Sequence, residues 1–542
     1  MLPIFEVARS LGIHSDHFLP YGHDKGKIAL AAQRSGREPG KLILVSAITP
    51  TDAGEGKTTT SIGLAQGLAK IGEKVCLALR EPSLGPVFGR KGGATGGGKA
   101  IIVPQDDINL HFLGDFHAIS TAHNLLAALI DNHLHFGNSL GMDTTRILWR
   151  RVVDLNDRSL RNVVVGLGGT AQGVPRETGF DITPASEVMA ALCLAEDPED
   201  LRARLGRIIV GLTHSGNPVT ANQLQATGAM MALLRDAMLP NLVQTIDGVP
   251  ALVHGGPFAN IAHGCNSVIA TKMAMAYADW TVTEAGFGFD LGAEKFFDIK
   301  CVQANLRPEA VVLVATVRAL KMHGGVGKAD LERPDVGKVE LGLQNLDKHL
   351  ESIRAYGILP IVALNRFGND HDDEIAAVRR ECERLNVPFA VSDVYARGAE
   401  GGTALAEVVV RVAKAADNCF RPLYEAHVSA EEKMNIVARV IYGAHGVVWT
   451  AAARKDLDAI RRFGYGHLPL CVAKTQKSLS DDPSLHGRPT DFDLTIRNVI
   501  LAAGAGYIVP LLGDILRMPG LPKEPQAHRV DLVDGKIVGV AN

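Results

Sequence analysis

Aromatic residues make up only 5% of this 542-residue chain, so any flat binding surface must rest on a few individual rings. Cysteine is thinly spread: seven residues (Cys76, Cys193, Cys265, Cys301, Cys382, Cys419, Cys471) include no C-x-x-C pair. That excludes a disulfide framework and a thiolate zinc site, and it fits a reducing compartment. An excess of charge of one sign is also missing. The net charge is -3 with acids and bases nearly balanced, so neither nucleic acid nor a membrane surface is expected as a partner held by bulk charge. Long apolar runs are lacking as well. The nearest, Ala310 to Val317, stops at Arg318, well short of the roughly 18 residues that span a bilayer. Met1 to Phe18 carries Glu6 and Arg9 among its apolar residues and has no uninterrupted signal-peptide core. A soluble, cytoplasmic protein is expected.

At this length one core cannot serve the whole chain, and two to four domains are expected. The informative stretch is Lys41 to Lys57. Leu42 to Ile48 has the length and residue choice of a buried parallel strand, and Thr49-Pro50 ends it in a turn. A loop of small residues closes on Gly54-Glu55-Gly56-Lys57-Thr58-Thr59, after which Ile62, Leu64, Ala65 and Leu68 recur at helical spacing. Strand, glycine loop and helix in that order make a phosphate cradle: converging N–H groups, a positive helix terminus and the Lys57 point charge. The usual pattern G-x-x-x-x-G-K-[ST] wants glycine where this chain has Thr51. The nucleotide contacts expected are Thr51, Asp52, Ala53, Gly54, Glu55, Gly56, Lys57, Thr58 and Thr59, with Thr58 as a Mg²⁺ ligand.

Lys74 to Leu79 reads as a second buried strand, ending in Arg80-Glu81-Pro82. A charged pair at the carboxyl end of a strand is where an open α/β sheet places ligand contacts, so Arg80 is a candidate for a phosphate or carboxylate. Upstream, Lys25 and Lys27 read as solvated charges. The segment Lys91 to Lys99 holds five glycines and reads as backbone brought against something bulky and anionic, or as a tether. Asp106, Asp107, His111, Asp115 and His117 stand close together, but core histidines and helix caps account for such spacing more often than a metal does. A helix is expected over His123 to His135. Further strands are expected over Val163 to Leu167, Ile208 to Leu212, Val311 to Thr316, Ile358 to Leu364, Pro388 to Ser392, Leu468 to Val472 and Tyr507 to Pro510. Two reactive-residue loops, His254 to Ser267 and Thr283 to Lys295, are expected to meet the phosphate loop across one cleft. Phe367 and Tyr395 each follow a strand, and in an aromatic-poor chain they are candidates for clamping a flat ligand, although two rings covering apolar surface would look the same.

Six segments together resemble one family: Thr49 to Thr59, Arg80 to Pro86, Gly255 to Cys265, Thr283 to Gly288, Lys321 to Gly325 and Met518 to Pro522. The chain is similar along its whole length to formate-tetrahydrofolate ligases of the single-activity form. The resemblance implies an α/β, multi-domain fold with a mostly parallel nucleotide-binding sheet. It implies a nucleotide and folate domain at 1–135 with 335–425, a second α/β domain at 136–334 and a C-terminal α/β domain at 426–542. It also implies that ATP, formate and tetrahydrofolate give ADP, phosphate and 10-formyltetrahydrofolate through formyl phosphate, with Mg²⁺ and a monovalent cation (K⁺ or NH4⁺) and in a homotetramer. Catalytic roles then fall on Lys57, Arg80 and Asp115, with Asp115, His117 and His254 as candidates for handling the N10 proton. Substrate contacts fall on Arg80, Glu81, Phe367 and Tyr395.

This chain departs from the family where Tyr395 stands for an expected tryptophan, Lys99 for a tyrosine, and Asn365-Arg366-Phe367 for Asn-Ala-Phe. The added positive charge suits a polyglutamylated folate. Two rivals remain at this point. One is another carboxylate-activating ligase similar to dethiobiotin synthetase, which is much shorter. The other is a nucleotide-switch ATPase, which usually carries metal motifs absent from this sequence.

Overall fold

The computed structural model describes residues 1–33, 36–91, 93–415, 419–513 and 515–540, with Lys91 described in its backbone only. Gly92 of the glycine segment therefore lies outside the described residues. The apolar runs form parallel strands β1 (Lys41–Ala47), β2 (Val75–Leu79), β3 (Pro250–Val253), β4 (Trp280–Glu284), β5 (Pro308–Ala315), β6 (Pro360–Asn365) and β7 (Phe389–Ser392). In space the order is β3-β2-β4-β1-β5-β6-β7, with every neighbouring pair parallel. Beyond β3 the sheet continues through Asn241–Thr245, Lys25–Ile28 and Phe18–Tyr21, paired antiparallel.

Side chains alternate across the sheet, which explains why these strands read as unbroken apolar runs. Leu42 and Leu44 join Val311, Leu313 and Val362 on one face, while Ile43 and Val45 join Leu77, Val282 and Val312 on the other. Both faces are covered, so neither set of positions is polar. The covering helices include α1 (Lys57–Lys70), α2 (Asp115–His135), α3 (Val317–His323), α4 (Val336–Ala355) and α5 (Ala399–Ala415). Helices α1 and α5 cross with their backbones touching. A Cβ on Gly402 would lie 2.3 Å from the Gly63 carbonyl oxygen, and one on Gly67 would lie 2.5 Å from that of Gly402.

The structure is α/β with a large, mostly parallel sheet, as expected, but the boundaries differ. Residues 136–334 are not a separate second domain, because Asn241–Thr245, β3, β4 and β5 all come from that span and build the central sheet. Spatial order in a parallel sheet is set by crossover connections, which strand composition does not encode. The part of the span that lies off the sheet packs on α2, where Leu126 and Ile130 meet Leu192, Leu201 and Met230. Helix α2 starts at Asp115 rather than His123, with Gly114 at φ 88° before its first turn.

After residue 426 the small pairs Gly446–Trp449 with Asp493–Ile496 and Asn498–Ala502 with Tyr507–Leu511 form. The expected strand at Leu468 to Val472 is reduced to a single bridge from Leu470 to Ile508. Leu457, Leu470, Val472, Leu494 and Ile508 share one apolar cluster with Leu42, Leu313 and Leu364 of the central sheet.

Candidate active site

The loop after β1 is held from within and from three sides. Its glycines supply left-handed backbone, Gly54 at φ 76° and Gly56 at φ 74°. At Gly56 the reason is also steric, since a Cβ would stand 2.3 Å from Asn365 Nδ2, and that same amide donates to the Glu55 carbonyl at 3.1 Å. The buried Glu55 carboxylate accepts from the Thr51 N–H at 2.6 Å, and the Thr51 hydroxyl oxygen accepts from the Ala53 N–H at 3.2 Å. Thr51 thus braces the turn with its side chain at the position where glycine was expected. Thr49 is fixed by His323 Nε2 donating to its carbonyl (2.8 Å) and by Asn345 Oδ1 accepting from its N–H (3.2 Å). Burial pushes His323 down to about 4. A neutral ring that donates through Nε2 must accept through Nδ1, where the Gly487 N–H arrives at 3.2 Å. Asp52 pairs with Lys477 at 3.0 Å, and that bond holds its carboxyl below the usual range.

Lys57 opens α1 with Gly56 as the cap. The next side chain, Thr58, donates to Glu284 Oε2 at 2.8 Å. Glu284 ends β4, which lies between β1 and β2 in the sheet, and its other oxygen faces Arg80 Nη2 at 3.5 Å. Arg80 Nη1 reaches the Pro257 carbonyl at 3.4 Å, while its Nε is buried with no partner. Gly286 makes room for this guanidinium, because a Cβ there would sit 2.8 Å from Arg80 Nη1. The carboxyl ends of β2 and β4 and the start of α1 therefore converge on one carboxylate. Glu284 was not singled out from the sequence, although an acid closing an apolar strand is the same signal that picked out Arg80.

Thr58 and Glu284 are hard oxygen donors beside a phosphate loop, a set that suits Mg²⁺ completed by phosphate oxygens and water. No group of three or more His, Cys, Asp or Glu that could hold a metal occurs among the described residues, so the Asp106 to His117 segment makes no such centre.

Several expected residues are placed elsewhere. Lys27 is not solvated: it is 1% exposed, and its Nζ donates to Asp115 Oδ1 (2.7 Å), Asn241 Oδ1 (2.7 Å) and the Leu239 carbonyl (3.1 Å). Asp115 is thereby closed off, its second oxygen taken by Asn241 Nδ2 at 2.7 Å, and has no exposed oxygen with which to take a proton from a substrate amine. Lys25 likewise pairs with Asp107 and Asp24. His254 is buried between Ser267 Oγ and the Ala237 carbonyl, 2.7 Å from each, and burial pushes it down to about 4. His117 is exposed on the first turn of α2. Glu81 is buried beside this cluster; burial, reinforced by Asp115 and Asp154, raises its carboxyl, and Oε2 has no partner.

Phe367 and Tyr395 follow β6 and β7, neighbouring parallel strands whose ends are tied by the Arg366 N–H donating to the Ser392 carbonyl at 3.0 Å. The Arg318 guanidinium lies 4.6 Å from the Phe367 ring centre, covering one face. Tyr395 is 58% exposed and leans on the glycine segment, where a Cβ on Gly97 would meet its ring at 3.0 Å. The Lys99 N–H donates to the Tyr395 carbonyl at 2.9 Å.

The family model for formate-tetrahydrofolate ligase matches residues 1–541. The chain belongs to the formate-tetrahydrofolate ligase family. It is a ligase that joins formate to tetrahydrofolate at the expense of ATP. A match over essentially the entire length gives no support to a shorter carboxylate-activating ligase or a switch ATPase. No helix among the described residues is long and apolar enough to cross a membrane.

Proposed function

We propose that the ligation runs through formyl phosphate, made in the pocket between the phosphate loop and Arg80. Formate is a poor electrophile because its oxygen is a poor leaving group, so one oxygen must first take the γ-phosphoryl group. Phosphoryl transfer needs alignment and charge neutralisation more than a covalent nucleophile. In this reading the N–H groups of residues 51–59 and Lys57 hold the triphosphate. Thr58 and Glu284 would hold Mg²⁺, which would supply charge neutralisation at the phosphate oxygens. Arg80 grips the transferred phosphoryl group with two N–H groups and keeps that grip as the folate N10 attacks the formyl carbon and phosphate leaves. The pterin lies against the free face of Phe367 and the ring of Tyr395.

The observation that carries this reading is Glu284, shared by Thr58 and Arg80, which ties the nucleotide loop and the candidate formyl phosphate anchor to one point. Glu81 takes a supporting place. Its unpartnered buried oxygen suits a K⁺ or NH4⁺ ion, and Asp115 with Lys27 positions the strand ends around it. A homotetramer is proposed on family membership alone, and a reducing cytoplasm on cysteines that are all free. The test is Arg80→Ala assayed for both half-reactions. Loss of formate-dependent ADP formation and of ATP synthesis from formyl phosphate and ADP, with ATP binding retained, supports the reading. Unchanged half-reactions contradict it.

A further inference from the structure

Lys300, in the helical turn Phe296–Cys301, is 0% exposed, and its Nζ meets three acceptors at 2.8 Å each: the Asn266 carbonyl, Asn266 Oδ1 and Thr271 Oγ1. The Phe296 ring centre lies 5.6 Å away. All of these partners are uncharged, and Lys300 pairs with no carboxylate among the described residues. The titratable groups around it do not offset its charge. Burial pushes the Cys265 thiol up to about 11, raises those of Cys193 and Cys301, and lowers the His263 ring, so all four are neutral. Asp298, on the same turn, is taken by the Tyr356 hydroxyl at 2.8 Å and the Leu423 N–H at 2.9 Å. A buried cation without a counter-ion is costly, and an apolar side chain of similar length is the more stable occupant of such a site.

The cradle reaches the strand ends of the site through one residue. Asn266 Oδ1, which accepts from Lys300, lies 3.1 Å from the Thr283 hydroxyl, and that hydroxyl donates to the Ala78 carbonyl at 2.9 Å. Ala78 and Thr283 face each other across β2 and β4. Thr283 immediately precedes Glu284, and Ala78 stands two residues before Arg80. The loop that carries Asn266 also carries Pro257, whose carbonyl takes Arg80 Nη1, and Ala259, whose carbonyl takes Lys295 Nζ. His263 of that loop has neither ring nitrogen bonded, and after burial the influences that hold it neutral are four cations, Lys300, Lys295, Arg204 and Arg80. Positive charge therefore gathers around this loop, while Glu284 is already shared by Arg80 and Thr58. The counter-charge that the fold lacks is the anion bound at Arg80.

We propose that Lys300 is a positioning residue for the transferred phosphoryl group: its ammonium holds the strand ends bearing Arg80 and Glu284 through Asn266 and adds fixed positive charge to the pocket. The proposal rests on the reading of Arg80 as the formyl phosphate anchor, and Lys300 itself touches no reactant. Three acceptors require all three N–H groups of the charged form. Burial pushes Lys300 down to about 8, so above that pH both the charge and one donor are lost.

The test is the pH profile of kcat/KM for formate from pH 7 to 9.5, with MgATP and tetrahydrofolate saturating. It is expected to fall above about pH 8, approaching tenfold per pH unit. Thr271→Val removes one acceptor from the ammonium and is expected to bring that fall about one pH unit lower, since a hydrogen bond to a charged group is worth about tenfold or more. Lys433, another lysine that burial brings to about 8, bonds the Ala426, His467 and Leu468 carbonyls and is untouched by this change. Lys300→Met is expected to lose tenfold or more at pH 7 and to show no fall above pH 8. The Thr271→Val profile decides the matter whether or not Lys300→Met folds. A wild-type profile flat to pH 9.5, a fall that Thr271→Val leaves in place, or Lys300→Met with wild-type activity overturns the proposal. Arg80→Ala reads the anchor separately, because its half-reactions are assayed at one pH with Lys300 intact.

Discussion

At the scale of single residues, charge geometry decides more than charge alone. Arg80 sits between the Pro257 carbonyl and Glu284 with Gly286 cut back to admit it, and a lysine cannot reproduce its planar fork. Arg80→Lys is therefore expected to lower kcat by about 10²–10³, the usual cost of losing one preorganised donor to a developing charge. Steady-state kinetics checks this, and a loss below threefold would mean that a point charge suffices. His323 supplies a pH signature. It is buried and neutral, and burial pushes its pKa down to about 4 from the ordinary 6.5 of an exposed histidine. Between those values the unfolded chain binds the extra proton, so this residue's contribution to stability is present above pH 6.5 and declines as pH falls towards 4. His323→Gln keeps a donor and an acceptor without titrating. Its Tm is expected to fall less than that of the unaltered chain between pH 7 and pH 4.5, and parallel curves by differential scanning calorimetry would refute the assignment.

At the scale of elements, the crossing of α1 and α5 sets how tightly the phosphate loop helix is held. Gly63, Gly67 and Gly402 let the two backbones meet. Gly402→Ala drives a methyl into the Gly63 carbonyl, and urea unfolding is expected to report about 1–3 kcal/mol of lost stability, as for other overpacked interiors. No loss would mean that the helices separate freely. This scale was also where the sequence was most legible. The apolar run before Thr49, the Gly56-Lys57-Thr58 triplet and the helical spacing of Ile62 to Leu68 led to β1 and α1 nearly residue for residue, because each is dictated by local sterics and periodicity. Lys27 was misread for the opposite reason. Its partners Asp115 and Asn241 are distant in sequence, and nothing near Lys27 signals that a buried anion is waiting for it. Glu284 escaped notice likewise, since its meaning comes from β4 lying between β1 and β2.

At the scale of the whole molecule, the chain after residue 426 is tied to the site and not merely appended to it. Lys477 pairs with Asp52, Gly487 bonds His323 and Asn345, and the late strands share an apolar cluster with β1, β5 and β6. A fragment ending at residue 425 exposes that cluster and is expected to aggregate or to be digested rapidly by trypsin. A soluble, protease-resistant fragment that binds ATP would contradict this coupling. The same interleaving explains why the boundary at 334 was not legible: β3, β4 and β5 look like any other strands in sequence, and only their neighbours place them.

The central claim is that formate leaves one of its oxygens on phosphate. Turnover of ¹⁸O-labelled formate with ATP and tetrahydrofolate, followed by mass analysis of the inorganic phosphate, tests it most directly. The account predicts one ¹⁸O in each phosphate formed at the start of turnover; phosphate free of label, released alongside 10-formyltetrahydrofolate, would contradict it.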